Sequence, residues 1–246
     1  MIRLLALGAA VTALALAACQ PAAGGDDPAF DAKVKEYLMT HPEVLRAALD
    51  HMQAKEEADE ARAETEALAK AQALLPTLRS ALERDPRDFV ANPDGKITVT
   101  EFYDYRCPHC IDIAPKVVDL IRTHPDVRFV FKEMPIFGAP SEHAARAALA
   151  ARQQGKDYVG LYDAFMAAHP LTDAEIDRIA ASKGVDLAAM NAPDVRKADD
   201  AQIADVAKLA QQLAISGTPG FIVRDDIIEG EDYDTLIADI AKAEKG

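Results

Sequence analysis

Cysteine is scarce: three residues in a chain of 246, at positions 19, 107 and 110. A small secreted domain stapled by disulfides uses more cysteines at wider spacing, so that kind of framework is excluded. A structural zinc site needs a second pair of ligands. Beyond Cys107 and Cys110 the body offers only single histidines such as His124, His143 and His169, so no metal site is expected. Basic residues are outnumbered, 27 Lys and Arg against 41 Asp and Glu, for a formal net charge of −14. With no dense Lys/Arg cluster, the composition argues against a nucleic-acid partner. Long apolar runs are missing too. Leu4 to Ala18 is too short and too sharply ended to span a bilayer. What remains is ordinary: half of the residues are apolar, with 14 Pro and 12 Gly, as expected for a globular protein with a core.

Arg3 followed by that apolar run has the anatomy of an export signal over residues 1–18. Its end, Leu16-Ala17-Ala18-Cys19, resembles the lipobox of bacterial lipoproteins. The resemblance implies acylation of Cys19 and a periplasmic or cell-envelope location. A plain secretory signal that leaves Cys19 idle is the alternative. Residues 19–29 carry Pro, Gly and Asp without periodicity and read as a tether. Residues 30–80 read as a helical arm, broken or restarted at Pro42. Val44, Leu45, Ala48, Leu49 and Met52 make a short apolar stripe there. Ala58, Ala61, Thr65, Leu68, Gln72 and Leu75 continue it as a weak seam in steps of three and four. Because the stripe lacks a burial partner, residues 30–75 are a candidate segment for homo-oligomerisation.

Residues 90–246 follow a different rhythm. Pro93-Asp94-Gly95 supplies a turn, and Ile97 to Tyr103, β-branched or aromatic and alternating, predicts a strand. A helix is expected from the Cys107 motif to about Thr123, with Pro108 at its first position and Pro115 deep enough to kink it. Val127 to Glu133 predicts a second strand. Nearly everything over about 140–214 reads as helix, including a Thr172-Asp-Ala-Glu capping pattern and a stop at Gly184. Phe221-Ile-Val223 and Ile227-Ile228 form a hairpin, and a last helix runs from about Asp232 to Lys245. The class is α/β, with a helical insertion large enough to form a subdomain.

The chemistry is expected at Cys107-Pro108-His109-Cys110. Residues three apart share a helix face, so the two sulfurs can meet. The helix start offers unpaired amides and the positive dipole end to Cys107, whose thiolate is the nucleophile. His109 can add positive charge or an N–H donor to the same sulfur. Cys107 should therefore be acidic and exposed, and Cys110 shielded. Glu101 is either a solvated strand residue or a buried acid able to take the proton of Cys110. Thr218-Pro219 lies in a tight turn, where cis peptides occur, although a plain turn would look the same.

Glu101-Phe-Tyr-Asp-Tyr-Arg-Cys107-Pro-His-Cys110, a long helical stretch and Gly217-Thr218-Pro219 together resemble the DsbA family of bacterial disulfide oxidoreductases. The resemblance covers about Pro93 to Lys245. It implies a thioredoxin fold with an inserted helical subdomain and no cofactor beyond the cysteine pair. In that pattern Cys107 exchanges with substrate and Cys110 resolves the mixed disulfide. Glu101 matches the buried acid six positions before the first cysteine, Pro219 the cis-proline, and Thr218 the residue that pairs with the substrate backbone. Reduced or unfolded exported proteins would be the substrates, and a membrane redox partner would reset the pair. The sequence departs from typical members in its arm and lipobox, and it lacks the tryptophan that precedes the motif in thioredoxins proper. Tyr37-Leu-Met-Thr-His41-Pro42-Glu-Val-Leu45 is similar to the N-terminal arm of ScsC-type DsbA-like proteins, some of which oligomerise. Thr218 is also common in isomerase-type members. Three functions stay open: a dithiol oxidase, an oligomeric isomerase or reductase, and a redox-gated copper-handling protein using soft thiolates.

Overall fold

Helix formation starts at Asp27. Its carboxylate accepts from the amides of Ala29 (3.0 Å) and Phe30 (3.3 Å), and Pro28 takes the first helical position. Helix α1 (Pro28–Thr40) therefore begins inside the segment expected as tether. The computed structural model describes residues 27–245. The expected signal 1–18, Cys19 and the rest of the tether lie outside the described residues. Two units are distinguished, one ending at Glu60 and one beginning at Ala61. The first contains α1 and the opening turns of α2 (Pro42–Glu83), separated at His41, the residue before proline. No residue of α1 is buried, and Phe30, Tyr37, Met39, Leu49 and Met52 are all exposed.

The second unit is built on five strands, β1 (Phe89–Ala91), β2 (Ile97–Tyr103), β3 (Val127–Glu133), β4 (Gly220–Val223) and β5 (Asp226–Glu229). Their order is β1-β3-β2-β4-β5, with β2 parallel to β3 and every other pair antiparallel. The turn before β2 needs Gly95, where a Cβ would come within 2.5 Å of the Arg128 amide. Helix α3 (Pro108–Thr123) links the parallel pair and continues past Pro115. Between β3 and β4 come α4 (Ala139–Gln153), α5 (Tyr158–Ala167), α6 (Asp173–Ser182), the short α7 (Leu187–Met190) and α8 (Pro193–Gln212); α9 (Tyr233–Glu244) closes the chain. The Thr172 hydroxyl caps α6 through the Glu175 amide, as its sequence pattern predicts. This is the α/β plan with a helical insertion and an N-terminal helical arm. The three-residue β1 and four-residue α7 are additions to it.

Alternation along the strands divides the core. Val99, Tyr103, Phe129, Phe131, Phe221 and Val223 join the larger cluster with α3, α5 and α9, whereas Phe102 and Ile222 face the smaller one with α8. Leu75 and Leu82 of α2 belong to that second cluster. The expected seam along α2 is thus not buried as a continuous stripe. Of α2 only Ala71, Leu75 and Leu82 are covered, because only its last turns meet the sheet and α8. The helix carries no basic residue in its last turn. Strand β3 supplies the cations instead: Arg128 Nη1 donates to Glu83 O (2.8 Å) and Lys132 Nζ to Ala81 O (2.6 Å).

Lys132 also pairs with Asp88, and both side chains are 1 % exposed. Burial pushes the Asp88 carboxyl up to about 6 against the pull of Lys132. Removing one member of such a pair strands the other. Lys132→Met is expected to lower stability by about 3–5 kcal/mol, read from urea unfolding midpoints at neutral pH.

Candidate active site

The turn that leaves β2 delivers Cys107 to the start of α3. Its amide bonds Asp104 O at 3.2 Å, its own carbonyl accepts from Ile111 N at 3.0 Å, and Pro108 fills the first helical position. Cys107 is the N-cap in extended conformation, which sets its sulfur at the start of the helix beside the amides of His109 and Cys110. Both cysteines are unbridged thiols, with Cys110 one turn into the helix. Cys107 Sγ donates to the Thr218 carbonyl at 3.0 Å, and the Thr218–Pro219 peptide is cis. The Thr218 hydroxyl is buried without a partner. Residues 107, 110, 218 and 219 are thus assembled from segments more than a hundred positions apart.

The two sulfurs are driven in opposite directions. A hydrogen bond from the Cys110 thiol holds Cys107 down, against the opposing effect of burial and with help from the amides of Cys110 and His109. The result is about 5. Cys110 is pushed far up, first by burial, then by its bond to Cys107 and by the Glu101 charge. Cys107 is not the exposed residue expected. It is 2 % accessible and Cys110 is 0 %, since the Thr218 carbonyl closes on the first sulfur. The His109 ring does not supply the expected charge or donor to that sulfur. Nδ1 lies 3.3 Å from the exposed Glu231 carboxylate, and the His109 contribution is its backbone N–H.

Glu101 is the buried acid of the two alternatives. It sits in the central strand, is 0 % exposed, and faces the same side as Val99 and Tyr103. Burial pushes it up to about 8; the Tyr162 hydroxyl, donating to Oε1 at 3.2 Å, pulls the other way, and Glu133 adds to the rise. Its Oε2 is buried without a partner. Such an acid sits in the right range to exchange a proton with a buried thiol.

Several residues around this centre were not singled out from sequence. Asp104 Oδ2 accepts the amides of Ile136 (2.7 Å) and Phe137 (3.0 Å), holding the loop after β3 against the turn before Cys107. Glu133 is a second buried acid among Tyr103, Tyr105 and Tyr158. The available signal was Glu133 itself, the one acid in a strand whose other charged residues, Arg128 and Lys132, are basic. Among the described residues, no group of three or more His, Cys, Asp or Glu converges to hold a metal ion. No described helix is long and apolar enough to cross a membrane.

A model described as "DSBA-like thioredoxin domain" matches residues 98–241, more than half of the chain. The chain belongs to the DsbA-like thioredoxin family. "Copper resistance protein ScsC N-terminal domain" matches residues 28–59, within the helical arm. Thiol:disulfide interchange protein DsbA of Bordetella pertussis is 34 % identical over 152 residues, covering 56 % of this chain and 71 % of that protein. The match to Na(+)/H(+) antiporter NhaA 3 of Salinispora tropica is 31 % identical over 144 residues, and the chain spans only 22 % of that relative. Among solved structures, a thioredoxin-like oxidoreductase from Silicibacter pomeroyi shares 39 % identity. The likeness covers 68 % of this chain and 98 % of that one, with a TM-score of 0.62. The DsbA-like fold read from sequence, with its helical insertion and arm, is therefore established.

Cys107 in the reduced protein should alkylate with a half-maximal rate near pH 5, while Cys110 stays unmodified in the folded state. Mass spectrometry after timed alkylation across pH reads both. The ionised Cys107 stabilises the folded dithiol form. That gain is fully present above the unfolded thiol range near 9 and disappears as pH falls through about 5. Unfolding of the dithiol and disulfide forms compared across this range should show the dithiol form gaining with rising pH.

Proposed function

We propose that this protein is an extracytoplasmic thiol–disulfide oxidoreductase that introduces disulfides into exported proteins through Cys107 and Cys110. One observation carries the reading. The outer sulfur is stabilised as an anion near 5 while its neighbour is held neutral. Stabilising the thiolate favours the reduced pair, which makes the disulfide form the stronger oxidant.

In the oxidising direction a substrate thiolate attacks the Cys107 sulfur and the Cys107–Cys110 bond breaks. Cys110 leaves as a thiolate and takes a proton from Glu101. A second substrate thiolate then attacks the substrate sulfur of the mixed disulfide and expels the Cys107 thiolate. The substrate loses two electrons and the pair gains them. Thr218 and Pro219 flank the reacting sulfur and are proposed to receive the substrate backbone. Pro108 and His109 present the helix start, with His109 acting through its amide. A membrane redox partner is proposed to accept the two electrons and restore the disulfide. The export signal and acylated Cys19 would hold the protein at the periplasmic face. The exposed apolar side chains of residues 30–75 are proposed to meet other copies of the chain.

A second reading keeps the chemistry and reverses its use. Thr218 before the cis-proline and the exposed apolar arm favour an isomerase or reductase that brings several sites together. The match of the arm to a domain named for copper resistance keeps Cu(I) handling by the dithiol as a smaller alternative.

Equilibrating the pair against glutathione buffers separates the directions. A reduction potential in the range of strong oxidants supports the oxidase, and a markedly lower one the reductase. Cys107→Ser should abolish oxidation of a reduced, unfolded protein. Residual oxidation by that variant would end the assignment.

A further inference from the structure

The exchange chemistry proposed above uses Glu101 and leaves a second buried acid unexplained. Glu133 ends β3 directly opposite Tyr103, and Glu101 lies opposite Phe131, so both acids project from the same face of adjacent strands. Three hydroxyls converge on one oxygen of Glu133: Tyr103 at 2.6 Å, Tyr158 at 2.7 Å and Tyr105 at 3.2 Å from Oε1. The hydroxyls also crowd one another, with Tyr103 2.9 Å from Tyr105 and 2.7 Å from Tyr158. Glu133 is only 3 % exposed. Four rings from three segments enclose the site, and Tyr162, the donor to Glu101, packs edge-on against Tyr103 with centroids 5.2 Å apart. A carboxyl in such a place is costly to bury, and a packed apolar side chain would fill the space without that cost.

We propose that Glu133 is a positioning residue for thiol–disulfide exchange, acting through Glu101: its charge, regulated by the three tyrosines, determines how readily Glu101 gives and takes the proton of Cys110. This rests on the functional reading above. Two carboxyls on one face in a low-dielectric pocket cannot ionise independently, and their titration belongs to the pair. The groups facing them are Tyr103 on β2, Asp104 and Tyr105 in the turn, Cys107 and Cys110 from α3, and Tyr158 and Tyr162 from α5. Burial raises Glu133 to about 8, the three hydroxyls oppose the rise, and Asp104 adds to it. Glu133 in turn is among the charges that raise Glu101. When Cys110 resolves a mixed disulfide, its S–H bond breaks, the proton passes to the Glu101 carboxylate, and the Cys110 sulfur bonds Cys107 as the other thiolate leaves. A negative Glu133 keeps Glu101 protonated to higher pH and delays this step; a neutral Glu133 releases it.

Glu133→Gln in the full chain keeps an oxygen acceptor for the tyrosines and removes the charge. Two measurements are made on parent and variant: NMR titration of the carboxyl-labelled Glu101, and the pH profile of Cys110 resolving a mixed disulfide of Cys107 with glutathione. The Glu101 midpoint should fall from about 8 by roughly one pH unit, a tenfold change. The resolution profile should move to lower pH by the same amount, the Cys107 alkylation midpoint should hold, and Glu133→Asp should restore the parent profile in part. A midpoint that does not move, or a uniform rate loss with an unmoved profile, overturns the proposal. Should Glu133→Gln fail to fold, Tyr158→Phe removes one donor, makes the Glu133 charge less favourable and should shift Glu101 down by less; no shift there also overturns it. A parent that never forms the glutathione adduct defeats the functional reading instead, which the Glu101 titration identifies because it needs no exchange.

Discussion

The hydrogen bond between the two thiols of the Cys107-Pro108-His109-Cys110 turn is the interaction on which the rest depends. It lowers one sulfur and raises the other, so it creates asymmetry from two chemically identical groups. It requires both cysteines on one face of a helix start, and Pro108 opens α3 there without an amide to satisfy. That in turn requires β2 to end where the chain can turn through Asp104. The sheet order gives β2 the middle position, flanked by β3 and β4, so the helix start emerges from the central strand of the sheet. The cis Thr218–Pro219 peptide reaches the same point from the far side of the helical insertion.

Burial has opposite uses on the two sides of this centre. At Cys107 the cost of covering a thiolate is outweighed by donors, and the anion persists. At Cys110, Glu101 and Glu133 donors are too few or are shared, and the neutral forms prevail toward neutral pH. One stable anion thus sits beside three groups held in their neutral forms.

Local patterns made much of this legible. Strands β2 and β3 are found where alternation and β-branched residues predict them, and the capping pattern at Thr172 marks α6. Short elements escaped, because three residues at Phe89–Ala91 or four at Leu187–Met190 carry no periodicity. The start of α1 at Asp27-Pro28 was a capping signal hidden in a stretch whose glycines suggested tether. The site was legible in its cysteines and less so in its surroundings. Cys107 is covered by a residue 111 positions away, and the partners of Glu133 come from positions 103, 105 and 158. A single acid in a strand can face either way until its neighbours are known, which is why Glu101 stayed open.

Consecutive residues of β3 look in opposite directions: Lys132 toward the end of α2 and Asp88, Glu133 toward the tyrosines. A slip of this strand by one position would place an ammonium among three phenols and a carboxylate beside Asp88 and the helix carbonyls. Alternative pairings are therefore penalised by charge as well as by packing, and loss or gain of one residue within Val127–Glu133 would be poorly tolerated.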